Sequence, residues 1–284
     1  MGSAGHLGPP FKSTVVDRTG VDEEEPVSVA VVMPAWNESE GITEFISELN
    51  AALREWDPMF IVIDDCSTDG TAEQVHSLAS GDIRASVHRN AVNSGHGAST
   101  VTALRLGLET NADVVIAIDG DGQFIGSDVA KVLARLLEGD VDLVEGIRVG
   151  RDDPTYRRAV SATTCALVWL RTRKSPTDAN TPLRAYRPAV LASLLAAIPP
   201  TAVTPNLLVS AMSRRWGLRI AEVPVSSRAR RGSVQDGTTW GKSHRQLPSR
   251  KFVKFCAKAT VDWIKTPFAP LGQTEQGKTA PSER

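Results

Sequence analysis

Short aliphatic runs alternate with helical periods through the first 150 residues, and three of those runs end in a turn that carries acids. The runs are Val27–Met33, Phe60–Asp64, Arg84–Arg89, Val114–Asp119 and Leu143–Ile147, each of strand length and rich in β-branched residues. Between them, Ile42, Phe45, Ile46, Leu49 and Leu53 share one helical stripe, and Val129, Val132, Leu133 and Leu136 share another. Strands separated by helical crossovers pair in parallel, and such sheets are covered on both faces. The expected fold is therefore a doubly wound α/β layer. Ligands of such sheets lie beyond the carboxyl ends of the strands. The turns Pro34-Ala-Trp-Asn-Glu38, Asp64-Asp-Cys-Ser-Thr-Asp-Gly70 and Asp119-Gly-Asp-Gly-Gln123 stand where that rule places a site.

Composition removes several classes. Thirty-two basic against 33 acidic side chains give a formal net charge of −1, so no global basic field recruits nucleic acid. Cys66, Cys165 and Cys256 are far apart and lack zinc-ligand spacing, which reads as reduced thiols of a cytoplasmic protein. The longest apolar stretches, near Cys165–Leu170 and Leu191–Ile198, fall short of the roughly 18–20 residues of a membrane span, and no signal peptide is expected. Residues 1–25 are expected to be a disordered tail, 26–248 the catalytic domain, 249–271 an amphipathic helix and 272–284 a frayed end. Beyond residue 150 the periods predict helices over Tyr156–Thr172, 188–197 and 206–216, then a strand, Arg219–Val225.

Asp119 and Asp121 flank a glycine after a wholly apolar strand, which delivers two like charges together to the rim. A hard cation such as Mg²⁺ or Mn²⁺ relieves their repulsion, using carboxylates and the oxygens of a bound diphosphate. Gln123 can add a carbonyl ligand; the competing reading is a solvated Asp-Gly turn. Ser67, Thr68 and Asp69 read as caps for the following helix. Asp65 can accept an N–H from uracil or guanine. Pro34, Ala35 and Trp36 offer flat or backbone contact to a base and ribose, with Glu38 near a hydroxyl. The turn Asn93-Ser-Gly95-His-Gly97 offers backbone N–H groups to an anion.

Taken together, Val32-Met-Pro-Ala-Trp-Asn-Glu38, Ile63-Asp-Asp-Cys-Ser-Thr-Asp-Gly-Thr71, Asn93-Ser-Gly-His-Gly97 and Asp119-Gly-Asp121 resemble the family 2 glycosyltransferases of GT-A fold. The resemblance implies a Rossmann-like, mostly parallel sheet. It implies donor nucleotide binding by Pro34, Ala35, Trp36, Glu38, Asp65, Gly95, Asp119, Gly120 and Asp121, and metal binding by Asp119, Asp121 and Gln123. The nearest likeness is to dolichyl- or polyprenyl-phosphate hexose synthases. Gly146-Ile-Arg148 looks like their Gly-x-Arg, Arg157-Arg-Ala-Val-Ser161 like their Arg-Arg-x-x-Ser helix, and Asp178-Ala-Asn-Thr-Pro-Leu-Arg184 like their segment beside the reacting sugar.

That likeness implies a UDP- or GDP-linked sugar as donor, inversion at the anomeric carbon and a polyprenyl phosphate as acceptor. Arg148, Arg157 and Ser161 would form a phosphate cradle, with Arg184 and Arg230 as further phosphate ligands; exposed surface charge is the alternative for Arg157. Pro182 and Leu183 replace the family's Gly-Phe, and Asn206 stands where many relatives carry glutamate. A saccharide or small-molecule hydroxyl acceptor would instead need a base, for which Asp178 is the candidate. A sugar nucleotidyltransferase is the rival of another class. Lys251–Lys265 sets Phe252, Phe255, Ala259 and Trp263 near one helical face among lysines, which suits either packing on the domain or peripheral contact with the inner membrane surface.

Overall fold

The computed structural model describes residues 27–150, 155–231 and 250–268, without the side chains of 155–157 and 250–252. The two expected tails therefore lie outside the described residues. In chain order the elements are β1 Val29–Ala35, α1 Ile42–Leu53, β2 Met59–Asp64, α2 Thr71–Ala79, β3 Ala85–Arg89, α3 His96–Glu109, β4 Val114–Ala117 and α4 Gly126–Leu137. They continue with β5 Leu143–Val149, α5 Thr155–Thr172, β6 Arg184–Tyr186, α6 Pro188–Ala197, α7 Pro205–Arg215, β7 Ile220–Ser226 and α8 Arg250–Lys265.

The strands form one sheet in the order β3-β2-β1-β4-β6-β5-β7. All neighbours pair in parallel except β6, which runs antiparallel to β4 and β5. This is the mostly parallel α/β sheet expected of a GT-A fold. Because side chains alternate along a strand, β1 sends Val29, Val31 and Met33 to one core, shared with α1 and α4, and Val32 to the other, shared with α3, α6 and α7. Both helical stripes seen in the sequence are buried in the first of these cores.

Strand β6 had no signature in the sequence, since three residues are too few to show a period. It is held by a charge pair instead. Arg184 lies opposite Glu145 in the register, and the two meet at 3.2 Å with both side chains fully buried. Arg214 of α7 closes on the same carboxylate at 2.7 Å. Arg184 also donates to the Asn206 and Ala179 carbonyls and to Ser210 Oγ. Its expected role as a phosphate ligand is thereby corrected, because a guanidinium sealed in the sheet cannot reach a ligand at the rim.

The chain winds outward from β1 to β2 and β3 on one side, and to β4 on the other. The crevice for a ligand therefore opens at the carboxyl ends of β1 and β4. Pro34 helps to open it. The last ladder pair between these strands is Val32 with Ala117, and Pro34 has no N–H to continue the ladder, so beyond that pair β1 holds the chain after β4 only by accepting at its Val32 and Pro34 carbonyls.

Candidate active site

Three rim turns are stitched to one another by short polar contacts. Asp65 N–H donates to the Ala35 carbonyl at 2.9 Å, and Gly120 N–H donates to the Pro34 carbonyl at 3.2 Å. A side chain at Gly120 would put its Cβ 3.0 Å from that same carbonyl, so any larger residue would press the two turns apart by a few tenths of an ångström. Asn37 and Cys66 both adopt left-handed backbone on the facing turns, the local strain that collects at functional sites. Asn37 N–H donates to Ser67 Oγ, Thr68 N–H to Asn37 Oδ1, Glu38 N–H to Thr71 Oγ1 and Ser39 N–H to Asp69 Oδ2. Of the expected caps, only Asp69 touches the start of α2, through Thr71. Ser67 and Thr68 fasten the loop after β1 instead.

Asp65 is buried, and its carboxylate is already engaged. It accepts N–H groups from Asn90, Ser94 and Gly95 at 2.9, 2.8 and 2.9 Å. The anion held by the glycine turn is thus the protein's own Asp65, and Gly95, at φ +89°, shapes the turn around it. This corrects the reading of that turn as an open nest.

Asp119 and Asp121 lie on the turn after β4, both half-buried. Burial, with the charge of Asp119 added, pushes Asp121 up to about 6, although the Gln123 N–H at 3.1 Å, Arg230 and His96 all favour its anion. His96, the first residue of α3, brings Nε2 to 3.4 Å from Asp119 Oδ1. Across the turn, burial pushes Glu38 up to about 8. Arg230 works against that rise, while the charges of Asp121 and Asp119 add to it. The rim therefore concentrates acids that a cation would relieve.

Part of that relief comes from the segment after β7. Arg230 forks onto both oxygens of Glu38 through Nε and Nη2. Arg228 and Arg231 converge on Glu48 of α1. Although burial pushes Glu48 up, hydrogen bonds from Arg228 and the Gly126 N–H, with the charges of both arginines, hold it below the usual carboxylate range. The backbone of this strap lies against the acidic turn, Arg228 N–H on the Gln123 carbonyl and Arg231 N–H on the Asp121 carbonyl. Glu48 carried no sequence signal, since its arginine partners are 180 residues or more away. His96 carried a weak one, as the residue opening a helix beside a rim turn.

Arg148 and Asp178 meet each other. Arg148 Nε and Nη2 reach Asp178 Oδ2 at 2.9 and 2.8 Å, and Asn180 N–H takes Oδ1 at 3.1 Å. Ser161 is exposed on α5, and the side chain of Arg157 lies outside the described residues. Trp36 is half-buried on the turn after β1. A narrow crevice beside Asp119 is lined by Pro34, Thr100, Pro182 and Asn206, and the buried Asn206 Oδ1 has no hydrogen-bond partner among the described residues.

The residues suit a hard divalent cation. Two clustered carboxylates and the amide of Gln123 are oxygen donors on one turn, and one carboxylate has its proton affinity raised by burial and then by the charge of the other. Among the described residues no group of three or more His, Cys, Asp or Glu side chains could hold a metal unaided.

A mostly parallel sheet with paired acids on the turn beyond β4, beside the β1 rim, is the arrangement of a GT-A glycosyltransferase. The chain belongs to glycosyl transferase family 2, whose model matches residues 30–193. It is 31% identical over 206 residues to the undecaprenyl-phosphate mannosyltransferase of Micrococcus luteus, covering 70% of this chain and 82% of that one. It is 30% identical over 173 residues to an undecaprenyl-phosphate 4-deoxy-4-formamido-L-arabinose transferase of Pectobacterium carotovorum, covering 59% of this chain; it spans about half of that relative, 51%. Its fold is similar to that of glucosyl-3-phosphoglycerate synthase from Mycobacterium tuberculosis, in complex with Mn²⁺, UDP-glucose and phosphoglyceric acid. The TM-score is 0.57 at 22% identity, over 84% of this chain and 80% of that one.

Proposed function

We propose that this glycosyltransferase moves a hexose from a UDP- or GDP-sugar to a polyprenyl phosphate, with inversion and with Mg²⁺ or Mn²⁺ as cofactor. The observation that carries the donor half is the acid cluster of Asp119, Asp121 and Glu38 at the β1/β4 rim, with the proton affinity of Asp121 raised. When bound, the cation would neutralise charge on the departing diphosphate. Asp119, Asp121 and Gln123 would hold it. Pro34, Ala35, Trp36 and Gly120 would line the nucleotide side, and Asp65 would act by holding the turn of Gly95 in place.

In the reaction a phosphate oxygen of the acceptor forms the new bond to the anomeric carbon while the bond to the diphosphate breaks. A lipid phosphate is already ionised, so it needs aim rather than a base. This agrees with the state of Asp178, whose two oxygens are occupied by Arg148 and the Asn180 N–H. Arg148, with Arg157, Ser161 and Arg230, would supply positive charge and hydrogen bonds to phosphate. The undecaprenyl-phosphate transferases among its relatives support the same acceptor, and a peripheral place at the membrane follows from it.

The test incubates purified protein with labelled UDP- and GDP-sugars, undecaprenyl phosphate and Mn²⁺ or EDTA. A lipid-extractable sugar phosphate formed only with metal is expected, and Asp121→Asn should abolish it. Transfer solely to a water-soluble hydroxyl acceptor would overturn the acceptor assignment, and full activity in EDTA would overturn the metal role.

A further inference from the structure

The amphipathic face of α8 that the sequence suggested is not the one that stays open. Trp263 is buried against the domain, stacked edge-on with Phe268 at 5.3 Å, and the Arg171 guanidinium of α5 lies 4.6 Å from the Trp263 ring and 4.5 Å from the Phe268 ring. Cys256, Ala259 and Trp263 follow one helical stripe, and all are at least half-buried. Asp262, the one acid of this helix, points inward and accepts the Val203 N–H at 2.7 Å. Phe252 of the expected face lies outside the described side chains.

On the opposite side, Val253, Ala257, Val261 and Ile264 fall at i, i+4, i+8 and i+11, a single stripe, and all four are exposed. Val253 is 56% accessible and Ile264 68%. Lys254, Lys258 and Lys265 run alongside, exposed, and none is ion-paired among the described residues. The helix tied to α8 through Arg171 adds exposed Leu170 and Trp169, the latter carrying Arg173 4.9 Å above its ring. Of the seven exposed large apolar side chains among the described residues, five lie on these two helices.

We propose that the outer stripe of α8, with Trp169 and Leu170 of α5, is a docking surface for an anionic lipid bilayer. An apolar stripe with a row of unpaired lysines beside it matches a helix lying in the headgroup layer, and an indole next to a cation suits the same depth. A second copy of the chain is the poorer occupant, because a two-fold contact would set one lysine row against another. The inner face of the same helix is linked to the site by a chain of contacts. Asp262 anchors α8 to Val203, whose carbonyl is packed against Gly97, next to His96 and so to Asp119. This inference sharpens the peripheral placement above but does not depend on donor or acceptor chemistry.

The test is co-flotation of the full chain with phosphatidylcholine vesicles, with and without phosphatidylglycerol, across a salt series. Binding only to anionic vesicles, weakened by salt, is expected. Replacing the three lysines with Gln should lower partitioning about a hundredfold, at roughly fivefold per charge. Val261→Ser with Ile264→Ser should lower it about tenfold or more while leaving donor hydrolysis in solution unchanged. The surface assignment is overturned if wild-type protein stays unbound at low salt, or if both variants float like wild type. It is equally overturned if sedimentation shows the stripe closing a dimer that the serine variant dissociates while vesicle binding persists.

Discussion

Replacing Asp121 with Asn should make the metal-free protein more stable while removing its use for a cation. The side chain keeps its shape, and its Oδ1 still accepts the Gln123 N–H now found at 3.1 Å. What disappears is a charge that burial and Asp119 oppose, seen as a rise from the usual 3.8 to about 6. At ~1.4 kcal/mol per unit that rise corresponds to about 3 kcal/mol against the ionised folded state. Water at the half-exposed rim screens part of it, leaving an expected gain of about 1–3 kcal/mol.

The sign follows from linkage. A carboxyl raised in the folded state opposes folding fully above its folded pKa of about 6, and the penalty fades as pH falls toward 3.8. Urea unfolding in EDTA should therefore show the Asn variant more stable than wild type near pH ~8 and level with it near pH ~4. In the same protein, Mn²⁺ with UDP-sugar should raise the melting temperature of wild type but not of the variant. A variant less stable than wild type near pH ~8, or a gain of equal size at both pH values, would refute the reasoning.

Gly97→Ala should destabilise by about 1–3 kcal/mol, since the added Cβ would strike the Ala202 and Val203 carbonyls; urea unfolding measures it, and His96 should move away from Asp119. Glu145→Ala leaves Arg184 and Arg214 facing each other inside the sheet, so a loss of about 3–5 kcal/mol is expected in the same assay. Asp178→Asn should slow transfer to a lipid phosphate by less than about tenfold, whereas a fall of ~10²–10⁴ would mark Asp178 as a base. Asn206→Ala should lower kcat/KM with little loss of stability, because the Oδ1 it removes has no partner among the described residues.

Strands β1, β2, β4 and β5 were legible because buried parallel strands are apolar runs, and α1 and α4 because one stripe of each meets the core. The acid pair of β4 was legible because it abuts such a run. Asp65 was legible as a rim residue but not as the anion of its own glycine turn, since Asn90, Ser94 and Gly95 come from a turn 25 to 30 residues away. Arg184 looked like a ligand because a lone arginine after a Pro-Leu pair gives no hint of Glu145 across a strand. On α8 the sequence showed apolar positions around much of the helix, and only the packing of Trp263 under Arg171 distinguishes the inner stripe from the outer one.

Periodicity and strand-end acids are local patterns, and they were enough to determine a doubly wound α/β chain with its polar chemistry at the carboxyl rim. Which charges remain available at that rim depends on partners distant in the chain. Arg230 meets Glu38 across 192 residues, Glu145 takes Arg184 and Arg214, and Arg148 takes Asp178. Only the tertiary structure decided these pairings. A charge is satisfied by whatever lies within a few ångströms, and the chain's order does not encode that distance.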